Sequence, residues 1–154
     1  FNTVYGGIEL RSKQMRTSDG IPNNSVRYMY QDSKGFLWLA TLNGLSRYDG
    51  NSFLTFRPES GEKVSLADNR IYDLTEDKNG FLWISTTPEL FSCYDLQRAC
   101  FVDYTGTGAL EQNYSAVFIA ANGDVWLRHS AVFRRCRPLS SAKSAKRRCA
   151  KKYR

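Results

Sequence analysis

An all-β fold, an incomplete propeller of two four-stranded antiparallel blades and part of a third, is predicted by three features of the sequence. The stretch Gln31-Asp32-Ser33-Lys34-Gly35-Phe36-Leu37-Trp38-Leu39-Ala40-Thr41 returns as Glu76-Asp77-Lys78-Asn79-Gly80-Phe81-Leu82-Trp83-Ile84-Ser85-Thr86 and, worn down, as Ala121-Asn122-Gly123-Asp124-Val125-Trp126-Leu127. Its tryptophans are 45 and 43 residues apart (83 minus 38, 126 minus 83), a period typical of propeller blades and other stacked arrays. Each copy also reads as two short runs rich in β-branched and aromatic residues joined by a polar turn, which is the pattern of a hairpin.

The turn has its own chemistry. In Asp32-x-x-Gly35 and Asp77-x-x-Gly80 the carboxylate can accept backbone N–H groups of the turn, and the glycine can take the positive φ of a bulged hairpin. Ala120-Ala121-Asn122-Gly123 should make the same turn with a weaker lock, because Ala120 stands where the aspartate stood. The strand after the first turn, Phe36 to Thr41, is apolar on both faces and so belongs in a sheet covered above and below.

Residues 1–25 read as an entry segment, in which Ile8-Glu9-Leu10 is a candidate strand and 18–25 are dense in turn formers. The first blade is expected over 26–57, with its third strand at Leu45-Ser46-Arg47-Tyr48 and its fourth at Ser52 to Phe56. A polar connector from Arg57 to Arg70 leads to the second blade over 71–104, which departs from the first at Pro88-Glu89 and has a longer last hairpin. Residues Thr105 to Gly108 make the next crossing. A partial third blade occupies 114–133, with Ala131-Val132-Phe133 as its last legible strand.

Charge divides the chain at that point. Residues 1–133 hold 12 Lys/Arg against 15 Asp/Glu, or −3, while 134–154 hold 10 Lys/Arg and no acid, or +10. The basic pI thus describes a tail that has no strand period, and disorder is its expected state. Phosphate binding would need basic side chains displayed on a face with aromatic partners, and only Tyr153 is nearby, so no nucleic-acid partner is expected. No window is apolar enough to span a membrane. The chain opens on Phe1 with no signal-like segment, and reads as a processed or excised piece.

Candidate chemical groups are few. His129 has no nucleophile in a recognisable motif nearby and is read as structural or solvent-facing. Four cysteines allow three pairings; Cys93 and Cys100 flank one hairpin and could meet across it in an oxidising compartment, Cys136 and Cys149 lie in the basic tail, and free or buried thiols are the expected state. One histidine and no Cys-x₂-Cys spacing give no zinc site, and no metal, cofactor or catalytic set is expected. Asp32 and Asp77 occupy equivalent places and are read as turn locks. Trp38, Trp83 and Trp126 are read as packing between neighbouring blades, where a stacked array repeats its aromatics. Tyr28, Tyr30, Arg47 and Tyr48 are the candidate ligand-binding residues, since propeller ligands bind near the ends and loops of inner strands.

The run from Asp32 to Gly50, Asp-Ser-Lys-Gly-Phe-Leu-Trp-Leu-Ala-Thr-Leu-Asn-Gly-Leu-Ser-Arg-Tyr-Asp-Gly, resembles the two-component regulator propeller repeat, and Asp19-Gly20-Ile21-Pro22-Asn23-Asn24-Ser25-Val26 resembles the lead-in to its first copy. Tryptophan followed by Leu or Ile departs from WD40 blades, and the one Gly-Gly pair, Gly6-Gly7, lies outside the period expected of kelch blades. The resemblance implies a fragment of the periplasmic sensor region of hybrid two-component histidine kinases and related regulators of gut Bacteroidetes, many of which detect oligosaccharides. It further implies a non-catalytic role in signal transduction, with the kinase on a separate domain, a periplasmic location, and as partners an oligosaccharide together with the remaining blades or another copy of the chain. Two other classes compete: a propeller enzyme of the lyase or glycosidase type, which needs a convergent set of acids or a histidine on channel-facing loops, and nucleic-acid binding through the basic tail.

Overall fold

In a computed structural model, residues 2–5, 8–60, 64–86, 90–102, 116–129 and 132–136 are described. Pro88-Glu89, the crossing at 105–108 and the tail over 137–154, with Cys149, fall outside them. A hairpin of β1 (Asn2–Tyr5) and β2 (Ile8–Arg11) precedes a short 3-10 turn at Thr17–Asp19. The first four-stranded sheet comprises β3 (Val26–Gln31), β4 (Leu37–Thr41), β5 (Gly44–Tyr48) and β6 (Phe53–Phe56), antiparallel and in chain order. The second comprises β7 (Ile71–Glu76), β8 (Phe81–Thr86), β9 (Leu90–Asp95) and β10 (Cys100–Phe101), again in order. The third has β11 (Ala116–Ile119), β12 (Val125–His129) and β13 (Val132–Cys136). This is the all-β, incomplete propeller that the repeat predicts.

The strand β13 corrects one boundary. The basic composition from Arg134 onward set the tail there, yet Arg134-Arg135-Cys136 continue the ladder with Leu127, Trp126 and Val125 as partners. The physical reason is a cross-strand ion pair: Arg135 Nη2 lies 2.5 Å from Asp124 Oδ2, so an arginine there satisfies a carboxylate at the start of β12.

The repeated turn forms the same way three times. Gly35 N–H donates to the Asp32 carbonyl at 2.9 Å, Gly80 N–H to Asp77 at 3.0 Å, and Gly123 N–H to Ala120 at 2.8 Å. Each glycine has φ between 77° and 89°, the left-handed region in which a Cβ is strained. Asp32 Oδ1 accepts the N–H groups of Lys34 and Phe36, and Asp77 Oδ1 those of Asn79 and Phe81. The other carboxylate oxygen leaves the turn: Asp32 Oδ2 accepts the Trp38 indole N–H at 2.7 Å, and Asp77 Oδ2 that of Trp83 at 3.0 Å. In the third copy, where Ala120 replaces the aspartate, Asn122 takes over by bonding both the N–H and the carboxylate of Asp124.

Strand alternation then sends each tryptophan toward the following sheet. Trp38 is fully buried and meets Phe56 of its own sheet at 5.4 Å and Tyr94 of the next at 5.3 Å between ring centroids. Around them Leu45, Leu74, Leu82, Ile84 and Phe101 complete one core spanning both sheets. Trp83, on the opposite face of the second sheet, packs against Val125 and Leu127 of the third. The turns are tied along the same direction: Ser33 donates its N–H and Oγ–H to the Glu76 carboxylate, Lys34 Nζ donates to the Leu96 carbonyl, and Lys78 Nζ to the Ala121 carbonyl. The connector joins in, with Leu66 buried in the core and Gly44 N–H donating to the Asn69 carbonyl.

Because the Asp32 carboxylate is buried and accepts three donors, Asp32→Ala should lower the unfolding free energy by about 2–4 kcal/mol. Urea denaturation followed by tryptophan fluorescence checks it. A loss below about 0.5 kcal/mol would remove the turn lock from the account.

Candidate recognition edge

Two equivalent irregularities stand out on the innermost strands. The β3–β4 register shifts between Val26 and Tyr28, and the β7–β8 register between Ile71 and Asp73. The residues between are Arg27 and Tyr72, one repeat apart, and a bulge of this kind turns a side chain away from its normal alternation. Both are exposed, and the Arg27 guanidinium lies 5.8 Å from the centroid of the Tyr72 ring, so one blade's bulge touches the next blade's. Tyr28 and Met29 beside them are 41% and 63% exposed, and Tyr72 is 45% exposed. The edge thus presents aromatic rings and a cation on strands held rigid by the cores behind them. Ser115, the next position of the series, is outside the described residues.

The sequence-predicted residues are only partly brought together here. Tyr28 lies on this edge. Tyr30 points to the same side of the first sheet but is half-buried against the inter-sheet core, and burial together with the nearby Glu76 carboxylate raises its phenol's pKa. Arg47 faces the seam between the first two sheets, its guanidinium 4.5 Å from the Phe36 ring centroid and 5.9 Å from that of Trp38. Tyr48, as the next residue of the same strand, faces the opposite side, where it stacks on Phe53 and donates its hydroxyl to the Gly50 carbonyl. Arg27 and Tyr72 were missed by sequence reasoning, because the bulges appear only in how β3 and β7 pair with their neighbours.

Arg47 belongs to a recurring place beside the tryptophan. It is the cross-strand partner of Trp38, as Cys93 is of Trp83 and Arg135 of Trp126. In the first sheet the guanidinium covers Phe36; in the third, Asp124 replaces the phenylalanine and the contact becomes an ion pair. In the second, Cys93 and Cys100 are buried with Val102, Phe81 and Trp83. Register sets Cys93 opposite Val102 and Cys100 opposite Asp95, so the two cysteines are diagonal neighbours. The expectation of thiols is corrected at Cys100, which is disulfide-bonded. Asp32 and Asp77, read as turn locks, have their oxygens engaged in that work. His129 lies on β12.

Comparison with known proteins gives the following. Residues 20–43 and 65–87 match the model of the two-component regulator propeller. Among solved structures, the chain is similar to the extracellular domain of a hybrid two-component system, BT3049 of B. thetaiotaomicron, with 25% identity and a TM-score of 0.62 over 75% of this chain and 17% of that one. It also has the fold of the extracellular domain of BT4673 from the same organism, at 23% identity and a TM-score of 0.56, over 77% of this chain and 18% of that one. The chain therefore spans less than a fifth of the length of the structures it matches. No curated protein matches it.

The seam carries a pH signature. Tyr94 is fully buried beside Arg47, and burial pushes its phenol up to about 12 against the pull of the Arg47 charge. In the unfolded chain a phenol loses its proton near pH 10, so above that pH the unfolded state holds fewer protons than the folded one. Stability present below pH 10 is then lost as pH rises toward 12, by roughly 2 kcal/mol from this group. Tyr94→Phe should leave stability at pH 7 within about 1 kcal/mol, since among the described residues the hydroxyl has no hydrogen bond of good geometry, and should flatten the alkaline decline. Guanidinium titrations at pH 7, 9 and 10.5 measure both.

Proposed function

We propose, for a chain whose residues 20–43 and 65–87 are two-component regulator propeller repeats, that it is a recognition segment of an extracytoplasmic sensor, non-catalytic and periplasmic, acting upstream of a phosphorelay. The ligand is an oligosaccharide, taken up by the inner edge of the propeller to which these blades contribute. The observation that carries the reading is the pairing of the bulge residues Arg27 and Tyr72 across two blades, with Tyr28 exposed beside them. Sugar rings present apolar C–H faces that lie on tyrosine rings, while their hydroxyls or carboxylates meet a guanidinium. A site on rigid inner strands can sense its ligand by the geometry of neighbouring blades, because any ligand spanning Arg27 and Tyr72 touches both. Similarity to extracellular domains of two hybrid two-component systems supports the location and the sensor role. The remaining blades of the propeller complete the site in this reading.

The test is calorimetry or glycan-array binding with defined oligosaccharides, neutral and uronate-containing. Tyr72→Ala should weaken binding about tenfold or more, as loss of one stacking partner costs roughly 1–2 kcal/mol. Unchanged binding in Tyr72→Ala and Arg27→Ala together would place the ligand elsewhere.

A further inference from the structure

The seam between the second and third sheets is the thinner of the two. Trp38 is fully buried at the first seam, whereas Trp83 is only half-buried at the second, where Val125 and Leu127 are its buried partners. The third sheet also lacks the aspartate that locks the tryptophan in the first two. A sheet with so little apolar surface against its neighbour depends on a further tie, and in small cores that tie is commonly covalent.

One end of a cross-link lies at this seam. Among the described residues Cys93 is a buried thiol and Cys100 is disulfide-bonded. The two do not bond each other: diagonal neighbours in an antiparallel pair stand about 7–8 Å apart, beyond the Cα span of about 4.4–6.8 Å that a disulfide bridges. Cys136 and Cys149 are the remaining cysteines. Cys100 is buried with Phe81 and Trp83, on the face of the second sheet turned to the third. Cys136 stands opposite Val125 in the β12–β13 ladder, and opposed residues share a face, so its position lies on the face of the third sheet turned to the second, where Val125 is buried. Both positions are at the same end of their strands: Asp95, opposite Cys100, pairs with Phe81 at the start of β8, and Val125 starts β12. The two sheets are already tied at that end by Lys78 Nζ donating to the Ala121 carbonyl. Cys149, by contrast, is flanked by Arg147-Arg148 and Lys151-Lys152, cations whose burial against an apolar seam would carry an uncompensated desolvation cost.

We infer that Cys100 and Cys136 form a disulfide that staples the third sheet to the second, and that its oxidation state governs how firmly the third sheet is held. The bond spans 36 residues (136 minus 100), a loop that contains the crossing between the two blades, and so it restricts the unfolded chain where the packing is least. Formation takes an oxidant that is itself a small-molecule or protein disulfide. One cysteine thiolate attacks it to give a mixed disulfide, the second displaces the oxidant's remaining half, and two protons and two electrons leave the protein while the oxidant ends as two thiols. Such a bond persists in an oxidising compartment, and the pairing stands apart from the ligand reading because it uses no part of the Arg27–Tyr72 edge.

Peptide mapping tests the pairing. The chain is oxidised with glutathione disulfide, its remaining thiols are alkylated under denaturing conditions, and the digest is analysed by mass spectrometry without reduction. A linked pair of peptides containing Cys100 and Cys136, with Cys93 and Cys149 alkylated, is expected; a link from Cys100 to Cys93 or Cys149, or alkylation of every cysteine, would overturn the inference. Hydrogen exchange reads the consequence: dithiothreitol should lower the protection of β11–β13 about a hundredfold while leaving β3–β6 unchanged. Cys136→Ser should show the low protection with or without reductant, and Cys149→Ser should respond as the unmodified chain does. If Cys136→Ser does not fold, the peptide map and the reductant response of the unmodified chain decide. Protection unchanged by reduction of a mapped Cys100–Cys136 bond would remove the staple.

Discussion

A buried carboxylate that serves two masters is the constraint on which the structure rests. Asp32 holds its turn with one oxygen and the Trp38 indole with the other, and Asp77 does the same for Trp83. The turn glycine places the strand, and the carboxylate then fixes the ring within it. Without that bond the indole N–H would be buried unpaired, at a cost comparable to the packing it brings. A local interaction six residues long in this way decides how one sheet meets the next.

Direction follows from the same bond. Each tryptophan lies on the face that leads along the chain, so the first seam closes around Trp38 and Tyr94 and the second around Trp83, Val125 and Leu127. The third sheet loses the aspartate but retains the turn through Asn122 and Asp124, and Asp124, where the first sheet has Phe36, turns the arginine's ring contact into an ion pair with Arg135. Sheets built alike on a repeated unit are stable chiefly through their neighbours. The bulges on β3 and β7 leave Arg27 and Tyr72 exposed at the edge of both sheets without disturbing either seam.

The repeat made the architecture legible because its signals are local: a glycine at positive φ, an aspartate that accepts turn N–H groups, and an alternation of period two. What escaped the reading was tertiary. The link from Asp to Trp was visible as a six-residue spacing in two copies, 32 to 38 and 77 to 83, but the turn already explained the aspartate. Arg47 and Arg135 each follow their tryptophan by nine residues, yet in the second sheet the intervening hairpin is one residue longer and the series breaks at Cys93. Composition misled at Arg134-Arg135-Cys136, where a carboxylate across the sheet made arginine suit a strand. The bulges at Arg27 and Tyr72 depend on how β3 and β7 pair with their neighbours, and no pattern within either strand announces them.

The most direct test of this account is a double-mutant cycle across the first seam, with Trp38→Leu and Tyr94→Leu studied singly and together by chemical denaturation. If one tryptophan seats two sheets, the pair should show a coupling of about 0.5–1.5 kcal/mol, as aromatic pairs in contact do. Additive effects, with coupling near zero, would mean that the sheets are held together by something other than the ring the turn carboxylate positions.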